Sequence, residues 1–545
     1  MDYFLKYPEF DILKNYILKD PICDWFEINK SNTFTKDANT YYKDYICKES
    51  NKYRQKIFKK IKELSGLDIP LKPTYEHTKD LINNKSPLIL QGVLLDKNNI
   101  YVKCDIIITY ELFQKIFPYV NNLPFHLYCK SQNDYLLIDI SYSTLHFKMD
   151  LKEVQNDGIL FYKKCMMYSF QTCFYELFNK KYECFLLGKE YYYRKTLLPK
   201  KEFIAKVNFE KNISDVISKA IVWVQTLKKN YSSMNIYPEP SEFELFPNMN
   251  YNESSWENEK MKLANKIKEI TLVWNISYEE RCELLNKGIK CWDDPKLLKE
   301  LKESKKKNIQ ERMIHMNQQK DVLIYPRKSI SNNLNQILES TDVDIYFDVE
   351  SFLSFDEKQE LFSGKDKNEE PVLGILGYIY KEQFYEITIQ EFTKLGEKKM
   401  IEHFSSQLKK IGQNKTINIY HWGHAENNYF QYIHQTYPKI EFPKYKLINV
   451  LDYFRMEPII IQGVFKFGLK SVGKALYNHG LIETTWEEND NGLDAMIHFK
   501  ELCKKHSKKI PLKRYIEIKE IIEYNRNDCQ VLYEIVNLLR KKYKR

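Results

Sequence analysis

Apolar and polar positions along the chain change period three times, and each change marks a different kind of element. From Tyr3 to Leu64 the apolar residues recur at helical spacing, as with Tyr53, Ile57, Ile61 and Leu64, and predict helices and turns. The period then shortens. Pro87-Leu-Ile-Leu-Gln-Gly-Val-Leu-Leu-Asp, Ile100-Tyr-Val-Lys-Cys-Asp-Ile-Ile-Ile-Thr and Tyr135-Leu-Leu-Ile-Asp-Ile-Ser-Tyr-Ser predict three strands, separated by turn residues such as Asp96-Lys-Asn-Asn and Gln132-Asn-Asp. From about Asn208 to Lys320 the chain is polar, lysine-rich and mostly helical. After Pro326 alternation returns, with strands at Val343 to Glu350, Pro371 to Tyr380, Phe384 to Ile389, Thr416 to His421 and Leu447 to Leu451, and an amphipathic helix at Glu397 to Ile411. The last helix carries Ile518, Ile521, Ile522, Cys529, Leu532, Ile535, Val536 and Leu539 on one stripe, interrupted by Tyr524 and Asp528. The pattern predicts an α/β protein, with α/β units at 1–206 and 326–545 joined by a helical connector at 207–325.

Composition narrows the class. With 545 residues, ~150 per domain suggests about three units. The hydrophobic share of 43% is that of a globular chain, and no apolar run approaches the ~20 residues of a membrane span. Met1 to Phe10 lacks the pattern of a signal peptide, so the expected place is cytoplasmic or nuclear, away from membranes. Eleven scattered cysteines without a Cys-x-x-Cys pair predict reduced thiols and neither a zinc ribbon nor an iron-sulfur cluster. The net charge of +10 points to nucleic acid as a polyanionic partner, or to solubility alone. The 41 Tyr against 16 Gly look like a coding bias and carry no chemistry.

The chemistry starts on the strand Val343-Asp-Ile-Tyr-Phe-Asp-Val-Glu350. Alternation puts Asp348 and Glu350 on one face and Phe347 and Val349 on the other. Two adjacent carboxylates repel and resist desolvation, so a divalent metal is the simplest partner; an ordinary solvent-facing strand end is the alternative. Tyr524 and Asp528, four residues apart, stack on one face of the last helix and would complete a metal site opposite that strand. Asp105 and Asp139 lie inside apolar strands and need partners of their own.

Two resemblances follow. Gln91-Gly-Val-Leu-Leu, Cys104-Asp105-Ile-Ile, Leu137-Ile-Asp139-Ile-Ser-Tyr-Ser-Thr-Leu, a helix, and Phe185-Leu-Leu-Gly-Lys resemble the RecB-type PD-(D/E)xK nuclease core, placing that fold at 1–206. The resemblance implies that Asp105 and Asp139 hold a metal, and that Gln171 and Tyr175 are the family's Gln-x-x-x-Tyr pair; a register six residues earlier would use Cys165 and Ser169. A departure is Ser141, where the family has a lysine that helps activate water; Lys148 is the nearby stand-in and Glu49 the candidate extra ligand. The expectation is a fold whose cleavage chemistry is weakened or lost, with a working nuclease as the alternative. Within the connector, Leu263 to Leu298, with Gly288 as C-cap, resembles a helix-hairpin-helix unit that would cradle a DNA backbone phosphate, or is a plain helical linker. The run Lys299 to Lys307 reads as a solvated helix face.

At the other end, Asp348-x-Glu350, His421-Trp-Gly-His-Ala-Glu426, Phe467-Gly-Leu-Lys-Ser-Val-Gly-Lys-Ala-Leu, Gly480-Leu-Ile-Glu-Thr-Thr-Trp, Asn491-Gly-Leu-Asp-Ala-Met and Tyr524-Asn-Arg-Asn-Asp-Cys resemble the DEDDy 3′-5′ exonucleases of the RNase H-like, DnaQ-like class. They resemble in particular the C-terminal domain of predicted RecB-family nucleases, in the same tandem order. This implies a mixed sheet flanked by helices at 326–545, with two Mg²⁺ or Mn²⁺ ions held by Asp348, Glu350, Glu426 and Asp528. Asp348 would bridge both ions, and Tyr524 would orient the attacking water. Glu426 departs from the superfamily's Asp and reaches one methylene further. Asp452 would serve as support or as a ligand, Lys470 and Ser471 would meet substrate phosphate or merely start a helix, and His421 and His424 would pack beside the ligands. The implied activity is a metal-dependent 3′-5′ exonuclease acting on DNA in repair, recombination or replication, with a helicase or other replication and repair proteins as implied partners. The alternatives are that the first domain is the active nuclease, or that the chain is a nucleic-acid-binding scaffold.

Overall fold

A computed structural model describes residues 8–29, 34–38, 41–69, 73–118, 134–148, 153–155, 158–179, 182–194, 196–198, 204–251, 254–304, 306–319, 321–328, 335–338, 341, 343–352, 371–487, 492–506 and 515–543. Gln132 and Asn133 of the second predicted turn, Lys305 and Asn491 lie outside them. The class is mixed α/β, and none of the described helices is long and apolar enough to cross a membrane. Chain contacts divide it into two compact units: 43–267 with the described residues before 39, and the described residues from 268 onward with 41–42.

The helix α1 (Tyr41–Ser65), in the first unit from Lys43 on, precedes a meander of β1 (Leu88–Leu95), β2 (Tyr101–Thr109) and β3 (Tyr135–Phe147). The chain then crosses through α2 (Gly158–Phe178) to β4 (Glu183–Tyr193), which runs parallel to β3, as a strand-helix-strand crossover requires. Short strands β5 (Thr196–Leu198) and β6 (Ala205–Lys206) both pair with β4. Near-continuous burial along β2 and β3 explains their apolar runs: such strands are covered on both faces. Two features of β3 matter for the chemistry. The β3–β4 register slips between Ser141 and Thr144, and β3 ends at Phe147, so Lys148 leaves the sheet.

The predicted connector is shared between the two cores. The helix α3 (Ile213–Asn230) buries Ile213, Ile217 and Ala220 in the first sheet's core, and α4 (Glu257–Ile267) buries Leu263 beside Trp25 and Trp223. The chain passes to the second unit at Lys268, whose φ of +56 ends the helix. A 3₁₀ turn at Ile270–Leu272 and α5 (Tyr278–Asn286) follow, the latter opened by a capping box between Ser277 and Glu280. Gly288 has the left-handed φ expected of a C-cap. Of the predicted 263–298 stretch, α4 falls in the first unit and α5 in the second. Just after Lys268 the buried Glu269 accepts from the Thr271 amide and pairs with the buried Arg281 at 3.2 Å.

In the second unit α6 (Lys307–Gln318) packs Ile309, Met313 and Met316 into the core, and β7 (Ile324–Tyr325) later pairs with β13 (Ile460–Ile461). The main sheet is built from β8 (Asp344–Ser351), β9 (Leu373–Tyr380), β10 (Gln383–Thr388), β11 (Ile417–His421) and β12 (Tyr445–Asn449) in the order β10-β9-β8-β11-β12. The first three strands are antiparallel, while β11 and β12 run parallel to β8. Phe347 and Val349 face one core with α7 (Lys394–Gly412) and α8 (Ala425–Thr436). On the opposite face Tyr346 meets the core containing α9 (Leu469–Asn478) and α10 (Ile516–Tyr543), and α10 packs across β8 and β9. The strand predicted at Leu447 to Leu451 stops at Asn449, and Asp452 instead lies in the first turn of a short helix, Val450–Met456.

Candidate metal centre

Alternation along β8 delivers Asp348 and Glu350 to the face covered by α10, and the helix brings Asp528 to meet them. One carboxylate oxygen from each of Asp348, Glu350 and Asp528 lies within 4.8 Å of the others. Glu350 and Asp528 are buried. Burial first, then the neighbouring carboxylates of Asp528, Glu350 and Glu426, push Asp348 well above the ordinary carboxylate range. Glu350 is raised in the same way, by burial and then Asp528, with Lys470 acting against the rise. Three like charges at this separation in a buried place are costly unless protonated or bridged by a cation.

Neutral groups lock these acids. Trp486 Nε1 donates to Asp528 Oδ1 at 2.7 Å, and Asn525 Nδ2 donates to Asp348 Oδ2 at 2.7 Å. Burial and the neighbouring acids raise the Tyr524 hydroxyl, which hydrogen-bonds Asp528. Lys470 sits 4.5 Å from the centre of the Tyr524 ring. Gly377, opposite Asp348 on β9, makes room: a Cβ there would lie 1.7 Å from Asn525 Oδ1. Motif reading gave Asn525 and Trp486 no role, although both lie inside the phrases that carried the resemblance. Their signal is weak because neither is charged.

Glu426 opens α8, is buried, and acts electrostatically on both Asp348 and Glu350, but lies outside the converging trio. Its Oε2 has no hydrogen-bond partner among the described residues and lies 3.3 Å from Nδ1 of the fully buried His421. His424 is the N-cap of α8 and makes no side-chain cap. Asp452 is half-buried and also outside the trio. Ser471 is exposed in the first turn of α9, whose N-cap, Gly468, offers no side chain to the helix amides. The donor set fits a hard cation: the converging ligands are all carboxylate oxygens, which suit Mg²⁺ or Mn²⁺.

In the first unit Asp105 and Asp139 are buried on adjacent antiparallel strands. Asp105 Oδ2 accepts from the Ile140 amide at 2.9 Å, and its Oδ1 lies 3.2 Å from Arg54 Nε. Burial, then Asp139, raise Asp105 to about 7 against the pull of Arg54 and Lys163. Lys163, on α2, donates to Asp139 Oδ2 at 2.7 Å and to the Ile140 carbonyl at 2.6 Å. Thus a lysine reaches the acid pair from a helix rather than from the strand position held by Ser141, whose hydroxyl bonds Ser143. Of the sequence stand-ins, Lys148 pairs with Glu153 and Glu49 with Lys52. Gln171 donates to the Tyr182 carbonyl and Tyr175 is exposed. Eight residues of helix beyond Lys163, Gln171 sits about 12 Å further along the axis.

No protein-family model matches this chain, and no curated protein and no solved structure matches it either.

Proposed function

We propose that the second unit is a metal-dependent 3′-5′ exonuclease of the RNase H-like, DEDDy kind, which hydrolyses phosphodiester bonds, preferably in DNA, during repair, recombination or replication. The observation that carries this reading is the convergence of Asp348, Glu350 and Asp528 on one small volume. Asp348, Glu350, Glu426 and Asp528 would hold two Mg²⁺ or Mn²⁺ ions. When bound, such a pair stabilises the attacking and leaving oxygens of an in-line displacement. The chain's own contribution is positional. Trp486 and Tyr524 fix the Asp528 carboxylate, the Tyr524 hydroxyl orients the attacking water, and Lys470 offers positive charge to the substrate phosphate beside Tyr524. No covalent nucleophile is required. Polarity and DNA preference rest on the motif resemblance. End-labelled single- and double-stranded DNA and RNA, incubated with Mg²⁺ or Mn²⁺, test the reading: a ladder shortening from the 3′ end supports it, and internal cuts or intact substrates count against it.

A second reading is favoured by Lys163. Its ammonium beside Asp139 would supply in the first unit the positive charge that Ser141 cannot, making a RecB-like site a working nuclease. Under this reading, cleavage survives in a chain carrying Asp348→Asn and Asp528→Asn and is lost on adding Asp139→Asn.

A further inference from the structure

Asn525 is fully buried one residue after Tyr524, on the helix α10 that packs across β8. One N–H reaches Asp348 Oδ2 at 2.7 Å, and the side chain also hydrogen-bonds Glu350. A primary amide has two N–H donors on one planar nitrogen, so it can serve two carboxylates at once without adding charge. The space it occupies exists because position 377 has no side chain: Gly377 stands opposite Asp348 in the β8–β9 register, and its missing Cβ is where Asn525 Oδ1 lies. Two elements, a helix and the neighbouring strand, are thus shaped around one uncharged side chain that touches both acids.

We propose that Asn525, seated in the notch left by Gly377, is a positioning residue that sets the spacing and orientation of Asp348 and Glu350 for a divalent cation. The inference rests on the metal-centre reading and extends it to residues that bind no ion themselves. An ammonium or guanidinium in this place would compete with the incoming cation; an amide donates to the carboxylates without adding charge. Outer partners of ligating carboxylates commonly govern affinity by about 10- to 100-fold.

The test is calorimetric titration of the full chain with MnCl₂, comparing wild type, Asn525→Leu, Asn525→Ser, Gly377→Ala and the double variant Asn525→Ser/Gly377→Ala, with circular dichroism and melting curves as a check on folding. Leucine keeps the bulk and removes the donors; serine removes the reach and is the variant to use should leucine not fold. The expected result is Mn²⁺ binding weakened about 10- to 100-fold in each single variant. The double variant should be no worse than the poorer single one, since both changes remove the same contact. A merely structural role would lower the melting temperature and leave Mn²⁺ affinity of the folded protein within twofold, and that result would overturn the proposal. Full additivity of the two changes would also overturn it. Failure of the wild type to bind Mn²⁺ would bring down the metal-centre reading and this proposal together, whereas binding without cleavage would sink the nuclease reading alone.

Discussion

Two residues, Tyr524 and Asp105, each make a separate claim. Tyr524→Phe keeps the ring under Lys470 and removes the hydroxyl that bonds Asp528. We expect the cleavage rate to fall by one to two orders of magnitude, roughly the worth of a positioned polar group; a rate within twofold of wild type would reduce the tyrosine to packing. Asp105 makes a claim about stability. Its folded value of about 7 exceeds the ordinary 3.8, so between those values the folded chain keeps a proton that the unfolded chain releases. Its stabilising contribution is fully present below about pH 3.8 and is lost as pH rises through about 7. Asp105→Asn should therefore flatten the profile: the drop in melting temperature from pH 5 to pH 8 should be smaller than in wild type. Asp348 and Glu350 are shifted in the same direction but are common to both proteins, so the comparison isolates Asp105. Parallel profiles would show that Arg54 and Lys163 keep Asp105 ionised throughout.

At the scale of elements, the placement of the acids was legible because it depends on short-range periodicity. Two-residue alternation put Asp348 and Glu350 on one face of β8, and four-residue spacing put Tyr524 and Asp528 on one face of α10. What escaped depends on packing between distant elements. Lys163 reaches Asp139 from the face of a helix 24 residues downstream, and nothing in the local pattern separates it from a solvated lysine. The buried Glu269–Arg281 pair escaped for a similar reason, because it is tertiary. Trp486 likewise acquires its role only through α9: a Cβ on Gly473 would lie 2.8 Å from Val531 and 2.9 Å from Trp486. Gly473→Ala should push Trp486 away from Asp528 and lower cleavage activity about tenfold or more, as expected when a reacting group is misplaced by a fraction of an ångström. Unchanged activity together with an unchanged melting temperature would mean that the contact between α9 and α10 has slack.

For the whole molecule, the net charge of +10 fits either solubility or a polyanionic partner, and salt dependence separates the two. Affinity for single-stranded DNA, measured without divalent metal, should fall by about sevenfold between ~50 and ~200 mM salt even with two phosphate contacts. A flat dependence would remove the electrostatic part of the account. The central claim is that the acids gathered between β8 and α10 perform metal-dependent hydrolysis, and it meets its most direct test in one comparison of full-length proteins. Cleavage of 5′-labelled DNA by wild type, Asp348→Asn and Asp528→Asn should be followed across a Mn²⁺ titration. The expected result is a 3′-shortening ladder that requires Mn²⁺ in wild type and is absent from both folded variants; wild-type turnover in either variant would contradict the claim.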